Sequence, residues 1–329
     1  MLKLNYPDFW LRRGIVSTLL IPVSYIYMVL GYLRKCYTKE VKLHAKVVCV
    51  GNITVGGSGK TRVVAWLARL LKEKHISCVI VTKGYSSRLK GAVIVTDSHD
   101  ALAVGDESVM LGNAYTVIAA KNIRDAVPLI EQIKPEVVIL DDGMQNPYLY
   151  KDFIILTFDS VIGTGNNRIF PAGNLRETLA SALARGGERI CVFQMDAEDQ
   201  KTDFGKIPCF TTKTKLLEAP QANQKYIAFA GIGTPGKFFK ILQQSGFNLQ
   251  KKLAFPDHYH YPEQEQARLI QIAKSENCKL ITTEKDYVKL GDKYKNTGLI
   301  ICAKAILELN NQQKFIDLLN EKLFKKDQI

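Results

Sequence analysis

Residues Gly51 to Thr61 read GNITVGGSGKT, a glycine-rich stretch ending in Gly59, Lys60 and Thr61. The chemistry that such a stretch supports is phosphate binding. Backbone N–H groups at a helix start point at the anion, and the helix dipole favours negative charge there. Gly56, Gly57 and Gly59 permit close approach and positive φ. Lys60 would reach the β- and γ-phosphates and the Thr61 hydroxyl would bind Mg2+. The common G-x-x-x-x-G-K-[ST] pattern has a glycine where this chain has Thr54, so the loop is a subtype. The candidate nucleotide contacts are Thr54, Val55, Gly56, Gly57, Ser58, Gly59, Lys60 and Thr61. A second constellation is VVILDDGMQN, an apolar run ending in Asp141 and Asp142. Two adjacent acids after a buried strand are electrostatically poor without a cation nearby, so they are expected to serve Mg2+. VGDES places Asp106 and Glu107 at what reads as a helix start, and FPDHYHY supplies Asp257, His258 and His260. Asp and His are side chains suited to accept a proton from a sugar hydroxyl during phosphoryl transfer.

The elements that must position these residues alternate regularly. KVVCV reads as a strand running into the glycine loop, and TRVVAWLARLLKEK as the helix after it, apolar at Val64, Leu67, Leu70 and Leu71. CVIVT, AVIVT, YTVIAA, EVVILDD and DFIILTFD are further short apolar strands, with NIRDAVPLIEQI a helix among them. Continuous apolar strands separated by helices predict a mainly parallel sheet covered on both faces, with ligands beyond the carboxyl ends of its strands. Around Lys213 to Gln224 the pattern lapses, and then it restarts with YIAFAG, PGKFFKILQQSG, EQEQARLIQIAKSEN, CKLITT, GLIICA and a final helix to about Phe324. The expected architecture is α/β: an N-terminal helical segment over residues 1–35, a nucleotide-binding core over 36–215, and a smaller α/β domain over 216–329 that contributes His258. The terminal KKDQI is expected to fray.

The chain has 329 residues, 47% of them hydrophobic, and a formal net charge of +13. That surplus favours anionic partners. Nucleic acid is not expected among them, because no aromatic–basic RNA motif, zinc finger or basic recognition helix is present. The seven cysteines are widely spaced without a C-x-x-C pair, which excludes a zinc ribbon or dithiol redox motif and fits free thiols in a reducing compartment. Gly14 to Leu33 carries no charge, yet Arg12 and Arg13 precede it and Arg34 and Lys35 follow. About 20 residues can just span a bilayer, but basic flanks on both sides fit a helix held at a membrane surface better. Ser17, Ser24 and Gly31, with Thr18, Tyr25 and Tyr32 beside them, are expected to form the stripe that rests on the protein.

Taken in order, GNITVGGSGKT, KGYSSR, GDES, ILDDGMQN, FPAGNLRE, GIGTPGKFF, FPDHYHY and TTEKD resemble the motifs of the tetraacyldisaccharide 4'-kinases, the lipid A kinases of Gram-negative bacteria. The resemblance runs through most of the chain, and Thr54 is native to the family's loop. It implies a P-loop kinase-like core and transfer of the ATP γ-phosphate to the 4'-hydroxyl of a tetraacylated disaccharide 1-phosphate, the lipid A precursor. The work would be done at the cytoplasmic face of the inner membrane, with Mg2+ and without a stable protein partner. Carried over by motif, Asp106 and His258 form the catalytic pair, with Lys60 and Asp142 assisting. Thr61, Asp141, Asp142 and Glu177 serve the metal, and Arg176 is available to an anion. Four positions depart from the family pattern: Asn146 for His, Lys83 for Arg, and Arg62 and Asn174 for Pro. The competing reading is a membrane-associated P-loop ATPase acting as a switch or positioning protein. Its K-G-G-x-G-K-T loop needs a lysine where Val55 stands.

Overall fold

The structure, a computed structural model, describes residues 7–197 and 202–324. The KKDQI terminus lies outside them. Strands β1 (Lys46–Gly51), β2 (Cys78–Thr82), β3 (Ala92–Ile94), β4 (Val117–Ala120), β5 (Val137–Asp141), β6 (Phe153–Asp159), β7 (Ile190–Met195) and β8 (Cys209–Leu216) follow one another through the first part of the chain. Then come β9 (Lys225–Ala230), β10 (Asn248–Ala254), β11 (Lys279–Thr283), β12 (Ile300–Ala303) and β13 (Ala305–Leu309). A nine-stranded sheet has the order β13-β8-β7-β6-β1-β5-β2-β4-β3, and a four-stranded sheet the order β10-β9-β11-β12. Every neighbouring pair is parallel except β3–β4 and β8–β13.

The centre of the large sheet is β1, with β5 on one side and β6 on the other. Both faces of β1 are buried. Val48 and Val50 pack under the Lys60–Glu73 helix, whereas Val47 and Cys49 belong to the cluster on the opposite face. This is why its sequence is continuously apolar rather than alternating. Since β1 and β5 are adjacent and parallel, the glycine loop after one and the acid pair after the other emerge side by side at the carboxyl edge.

Some elements were hidden in the sequence. Strands β7, β8, β10 and β13 were not anticipated, and the lapse expected from Lys213 begins inside β8. The expected domain division at 216 also needs correcting. The small sheet closes at β12, and β13 then returns to pair antiparallel with β8. The Gln312–Leu323 helix follows it and buries Phe315, Ile316 and Leu319 in the core of the large sheet. The second unit is thus an insertion between β8 and β13.

The N-terminal segment is broken where a single helix was expected. Ile15–Leu19 and Ile21–Tyr37 are separate helices, because Pro22 has no N–H to carry the i→i−4 ladder across the junction. Ser17 and Ser24 do face the protein: Arg168 donates to the Ser17 hydroxyl at 2.8 Å, and the Ser24 hydroxyl donates to the Ile169 carbonyl at 2.8 Å. Gly31, Tyr25 and Tyr32 do not follow. A Cβ on Gly31 would meet nothing within 4 Å, and both tyrosines are exposed. Most exposed large hydrophobic side chains among the described residues lie between Ile15 and Tyr37. Among the described residues no helix is long and apolar enough to cross a membrane.

The returning helix makes a stability prediction. Phe315 is fully buried against Trp66, Phe193 and Phe210. Phe315→Ala is expected to destabilise the protein by about 3–5 kcal/mol, measured by urea unfolding. A loss below about 0.5 kcal/mol would be that of a surface position and would remove the helix from the core.

Candidate functional site

The glycine loop leaves β1 and enters the Lys60–Glu73 helix at Gly59, whose φ of 78° is one that L side chains rarely adopt. Gly56 has φ 105°. The Ser58 hydroxyl meets that of Thr157 on β6 at 2.8 Å. Thr54, which breaks the common pattern, has a structural place: it forms an antiparallel bridge with Leu175, and its hydroxyl accepts from Asn52 at 3.0 Å. Val55 N–H donates to the Asn174 carbonyl and Arg176 N–H to the Ile53 carbonyl, both at 2.7 Å. The FPAGNLRE segment is thereby laced to the phosphate loop. Lys60 Nζ donates to Asn52 Oδ1 at 3.2 Å and stands 3.9 Å from Asp142. Burial lowers its pKa, and the Asp142 charge opposes that shift.

The two acids after β5 have different fates. Asp142, at φ 57°, is surrounded by cations: one guanidinium nitrogen of Arg176 reaches its oxygens at 2.8 and 2.9 Å, and Lys83 lies at 3.5 Å. Burial pushes its carboxyl up, but Lys60, Arg176 and Lys83 together hold it below the usual value. Asp141 is buried, and its Oδ2 has no hydrogen-bond partner. Burial, reinforced by the Glu107 charge, pushes its carboxyl up to about 8. Glu177 is occupied, with Arg185 on both of its oxygens and the Gln145 amide at 2.9 Å on one. The four expected metal residues therefore do not form one acid cluster. Among the described residues no group of three or more His, Cys, Asp or Glu is arranged to hold a metal ion.

Asp106 and His258 come together across the two units. Asp106 begins the Asp106–Gly112 helix, and its Oδ2 is 3.0 Å from His258 Nδ1. Its Oδ1 accepts from Glu107 N–H at 2.9 Å. His258 Nε2 is 3.3 Å from Lys285 Nζ, which also donates to Glu107 at 3.2 Å. An ammonium donating to Nε2 requires the ring N–H on Nδ1, from where it donates a hydrogen bond to the Asp106 carboxylate. Burial alone would raise the Asp106 pKa, but the His258 hydrogen bond and the Lys285 and Lys289 charges leave it lowered. Lys285 is itself raised, because Glu107, Asp106 and Asp257 outweigh its burial. Tyr85 lies against the His258 ring at 4.8 Å between centroids. Lys285 belongs to the TTEKD motif, whose residues had no role assigned from the sequence. Its basic residue among acids is a signal only once the fold brings it to His258.

One cavity reaches this cluster through Glu107, Asp257 and Lys285, and a second lies beside Asp141. The first, of about 250 Å³, runs from Gly57–Arg62 to the second unit, with Met195, Phe238 and Ile241 as apolar lining and Lys285 at its polar end. Lys237 of the second unit pairs with Asp159 beside it. The second, of about 180 Å³, is lined by Arg34, Lys83, Lys121, Lys151, Asp141 and Asn146. Asn146 caps its own turn, its Oδ1 accepting from Tyr148 N–H at 2.8 Å.

With this geometry in place, the comparisons with known proteins are specific. Residues 16–324 match the family described as tetraacyldisaccharide-1-P 4'-kinase. The tetraacyldisaccharide 4'-kinase of Rickettsia akari is 44% identical over 333 residues, covering 100% of this chain and 99% of the relative. That of Rickettsia bellii is 44% identical over 336 residues, covering 99% and 100%. Among solved structures, the "apo" form of LpxK from Aquifex aeolicus in complex with ATP has a TM-score of 0.77 at 28% identity, covering 94% of this chain and all of that one.

The state of Asp141 has a measurable consequence. Its folded pKa of about 8 lies above the usual carboxylate value of 3.8, so its contribution to stability is full below the lower value and is lost as pH rises through the higher. Thermal unfolding of the metal-free protein is therefore expected to show the wild type losing stability relative to Asp141→Asn between those values. A wild-type-minus-variant difference that does not change with pH would mean that Asp141 is ionised in the folded protein throughout.

Proposed function

The chain belongs to the tetraacyldisaccharide-1-phosphate 4'-kinase family, and from that premise we propose how its residues carry out the transfer. The protein is a phosphotransferase of lipid A biosynthesis: it moves the γ-phosphate of ATP to the 4'-hydroxyl of the tetraacyldisaccharide 1-phosphate. The observation that carries the mechanism is the 3.0 Å contact between Asp106 and His258, contributed by opposite units, whose chain neighbours Glu107 and Asp257 line the same cavity as the phosphate loop.

The loop N–H groups and Lys60 hold the β- and γ-phosphates, and the apolar end of the cavity takes the base. Asp106 receives the acceptor proton, kept ionised by its cationic surroundings, while His258 fixes the carboxylate in place. Asp142 keeps Lys60, Lys83 and Arg176 gathered at the carboxyl edge, where charge builds up during transfer. The donor set suits a hard cation: Asp141 Oδ2 is buried without a partner, and Thr61 lines the nucleotide cavity. Bound through Thr61 and Asp141, directly or through water, Mg2+ would draw charge from the transferring phosphoryl group. Asp142 and Glu177 are already engaged by protein cations and support the site around it. The basic cavity beside Asp141 suits a phosphorylated sugar.

The acceptor is lipidic, and the exposed apolar face of Ile15–Tyr37 is where the protein meets the membrane. Its length supports lying in the cytoplasmic leaflet rather than crossing it: 17 residues of helix from Ile21 to Tyr37 reach ~25 Å, short of a hydrocarbon core of about 30 Å. Arg12, Arg13, Arg34 and Lys35 then sit among anionic headgroups.

Two experiments test these assignments. With purified protein in detergent, Mg-ATP and the tetraacyldisaccharide 1-phosphate, Asp106→Asn is expected to lower kcat by about 10²–10⁴-fold with little change in the ATP KM. Lys60→Ala is expected to lower kcat/KM for ATP by about 10²–10³-fold. Near-normal transfer by Asp106→Asn at saturating substrate would remove Asp106 as the proton acceptor. In the second experiment, Ile26→Lys with Leu30→Lys is expected to weaken binding to anionic lipid vesicles by about tenfold or more, given the apolar area withdrawn. Unchanged partitioning would take the membrane contact off this face.

A further inference from the structure

Behind the Asp106–His258 contact lies a second ion pair, away from the nucleotide cavity. Lys289 and Asp286 sit on the segment after β11 and are almost wholly buried, with side-chain exposures of 3% and 0%. Lys289 Nζ is 2.7 Å from Asp286 Oδ1 and 4.0 Å from Asp106 Oδ2, so one ammonium stands between two carboxylates. It makes no aligned hydrogen bond and faces the Tyr261 ring at 5.4 Å. The other oxygen of Asp286 accepts from Gly231 N–H at 3.0 Å and from the Thr283 hydroxyl at 2.7 Å. The Gly231 carbonyl in turn accepts from His258 N–H at 3.1 Å. His258 sits at φ 58°, in the left-handed region where a non-glycine residue needs its surroundings to hold it.

We propose that the Lys289–Asp286 pair is a positioning device for phosphoryl transfer: Lys289 holds Asp106 as the carboxylate, and Asp286, through Gly231, fixes the turn that presents His258. This rests on the reading of Asp106 as the proton acceptor. Neither residue touches the cavity, so neither is catalytic in its own right. A fully buried ion pair is costly to assemble and often no more stable than an apolar substitute, so stability alone does not account for one placed here. Its location does: Lys289 is a cation behind Asp106 that neither solvent nor a changing ligand in the cavity displaces. Lys285 is on the cavity side, shared with His258 and Glu107. The charged groups facing Asp106 are Glu107 on its own helix, His258 and Asp257 on the loop after β10, and Lys285, Asp286 and Lys289 after β11. Removing one cation at this range raises a carboxylate pKa by about one unit, and a general base that protonates more readily loses activity from the acid side.

The test is the pH profile of kcat/KM for the acceptor, at saturating Mg-ATP, in four variants. Lys289→Met is expected to move the acidic limb up by about one pH unit while the ATP KM stays near wild type. Lys289→Arg keeps the charge and is expected to keep the limb in place. Lys289→Met strands a buried carboxylate, so the double variant Asp286→Asn/Lys289→Met, which leaves no unpaired charge, guards against simple misfolding. It is expected to fold and still show the shifted limb. Asp106→Asn is the control. A wild-type limb in the double variant, with Asp106→Asn inactive, overturns the positioning role and leaves the base assignment standing. Failure of both Lys289→Met and the double variant to fold assigns the pair to stability and also overturns it. An active Asp106→Asn overturns the base assignment itself, and the proposal with it.

Discussion

The contact between Arg176 and Asp142 is the interaction on which the site depends. Arg176 belongs to a segment that is laced to the phosphate loop by backbone hydrogen bonds, and Asp142 begins the turn after β5. Joining them clamps three loops into one block at the carboxyl edge of the large sheet. It also solves an electrostatic problem. Asp141 and Asp142 are adjacent in the chain and largely buried, and two ionised carboxylates at that spacing repel strongly where the dielectric is low. Surrounding Asp142 with Lys60, Lys83 and Arg176 keeps it charged, and the cost falls on Asp141, which has no partner of its own. The neighbouring acids thus differ: one gathers protein cations, and the other keeps a buried oxygen with no hydrogen-bond partner.

The topology sets how the two halves of the site meet. The second unit is inserted between β8 and β13, so the chain crosses between the units twice and ends in the core of the first. A domain held by two connections has fewer ways to swing than one trailing from a single linker. The Lys237–Asp159 pair and the Asp106–His258 contact add polar ties across the cleft. Polar ties that form and break with modest cost suit a cleft that has to admit a nucleotide and then exclude water. His258 and Lys285 belong to the second unit, whereas Asp106 and Lys60 belong to the first. In the proposed mechanism, closure would complete the proton-accepting group as well as the walls of the cavity.

How much of this was legible in the sequence depended on whether the signal was local. The β1–loop–helix unit and the acids after β5 were readable because glycine spacing and continuous apolar runs are properties of neighbouring residues. Asp106 and His258 were found through motif resemblance, since nothing local says that residues so far apart will touch. Strand β8 escaped because Lys213 and Lys215 alternate outward and look like a break in an apolar run, and β13 because only Lys304 separates it from β12. Glu177 reads as a metal acid in sequence, but its engagement by Arg185 depends on the last turn of the following helix lying against it. Asp286 and Lys289 were invisible for a related reason. In EKDYVKL they look like solvated charges on a helical surface, and burial, which gives them meaning, is a tertiary property.

The departures from the family pattern show which part of each residue the fold uses. Asn174 replaces a proline, yet the loop uses only its carbonyl, which proline also has; its side-chain nitrogen and oxygen are buried without hydrogen bonds. The change keeps the contact with Val55 and adds a desolvation cost. Arg62 replaces a proline in the first helical turn, where a missing N–H is tolerated. Its guanidinium reaches Thr214 and lies 3.7 Å from Asp196, tying the start of the loop helix to β8 and the turn after β7. Lys83 keeps a positive charge near Asp142 but as a single ammonium at 3.5 Å, so it screens the carboxylate without the forked grip of a guanidinium. Asn146 holds its turn through a side-chain oxygen, and Lys151 donates to its backbone carbonyl at 2.5 Å. What an imidazole could add there is a titratable proton. In the proposed mechanism proton acceptance falls to Asp106, and the cations beside the basic cavity are lysines and arginine, so that mechanism does not call on a ring at position 146.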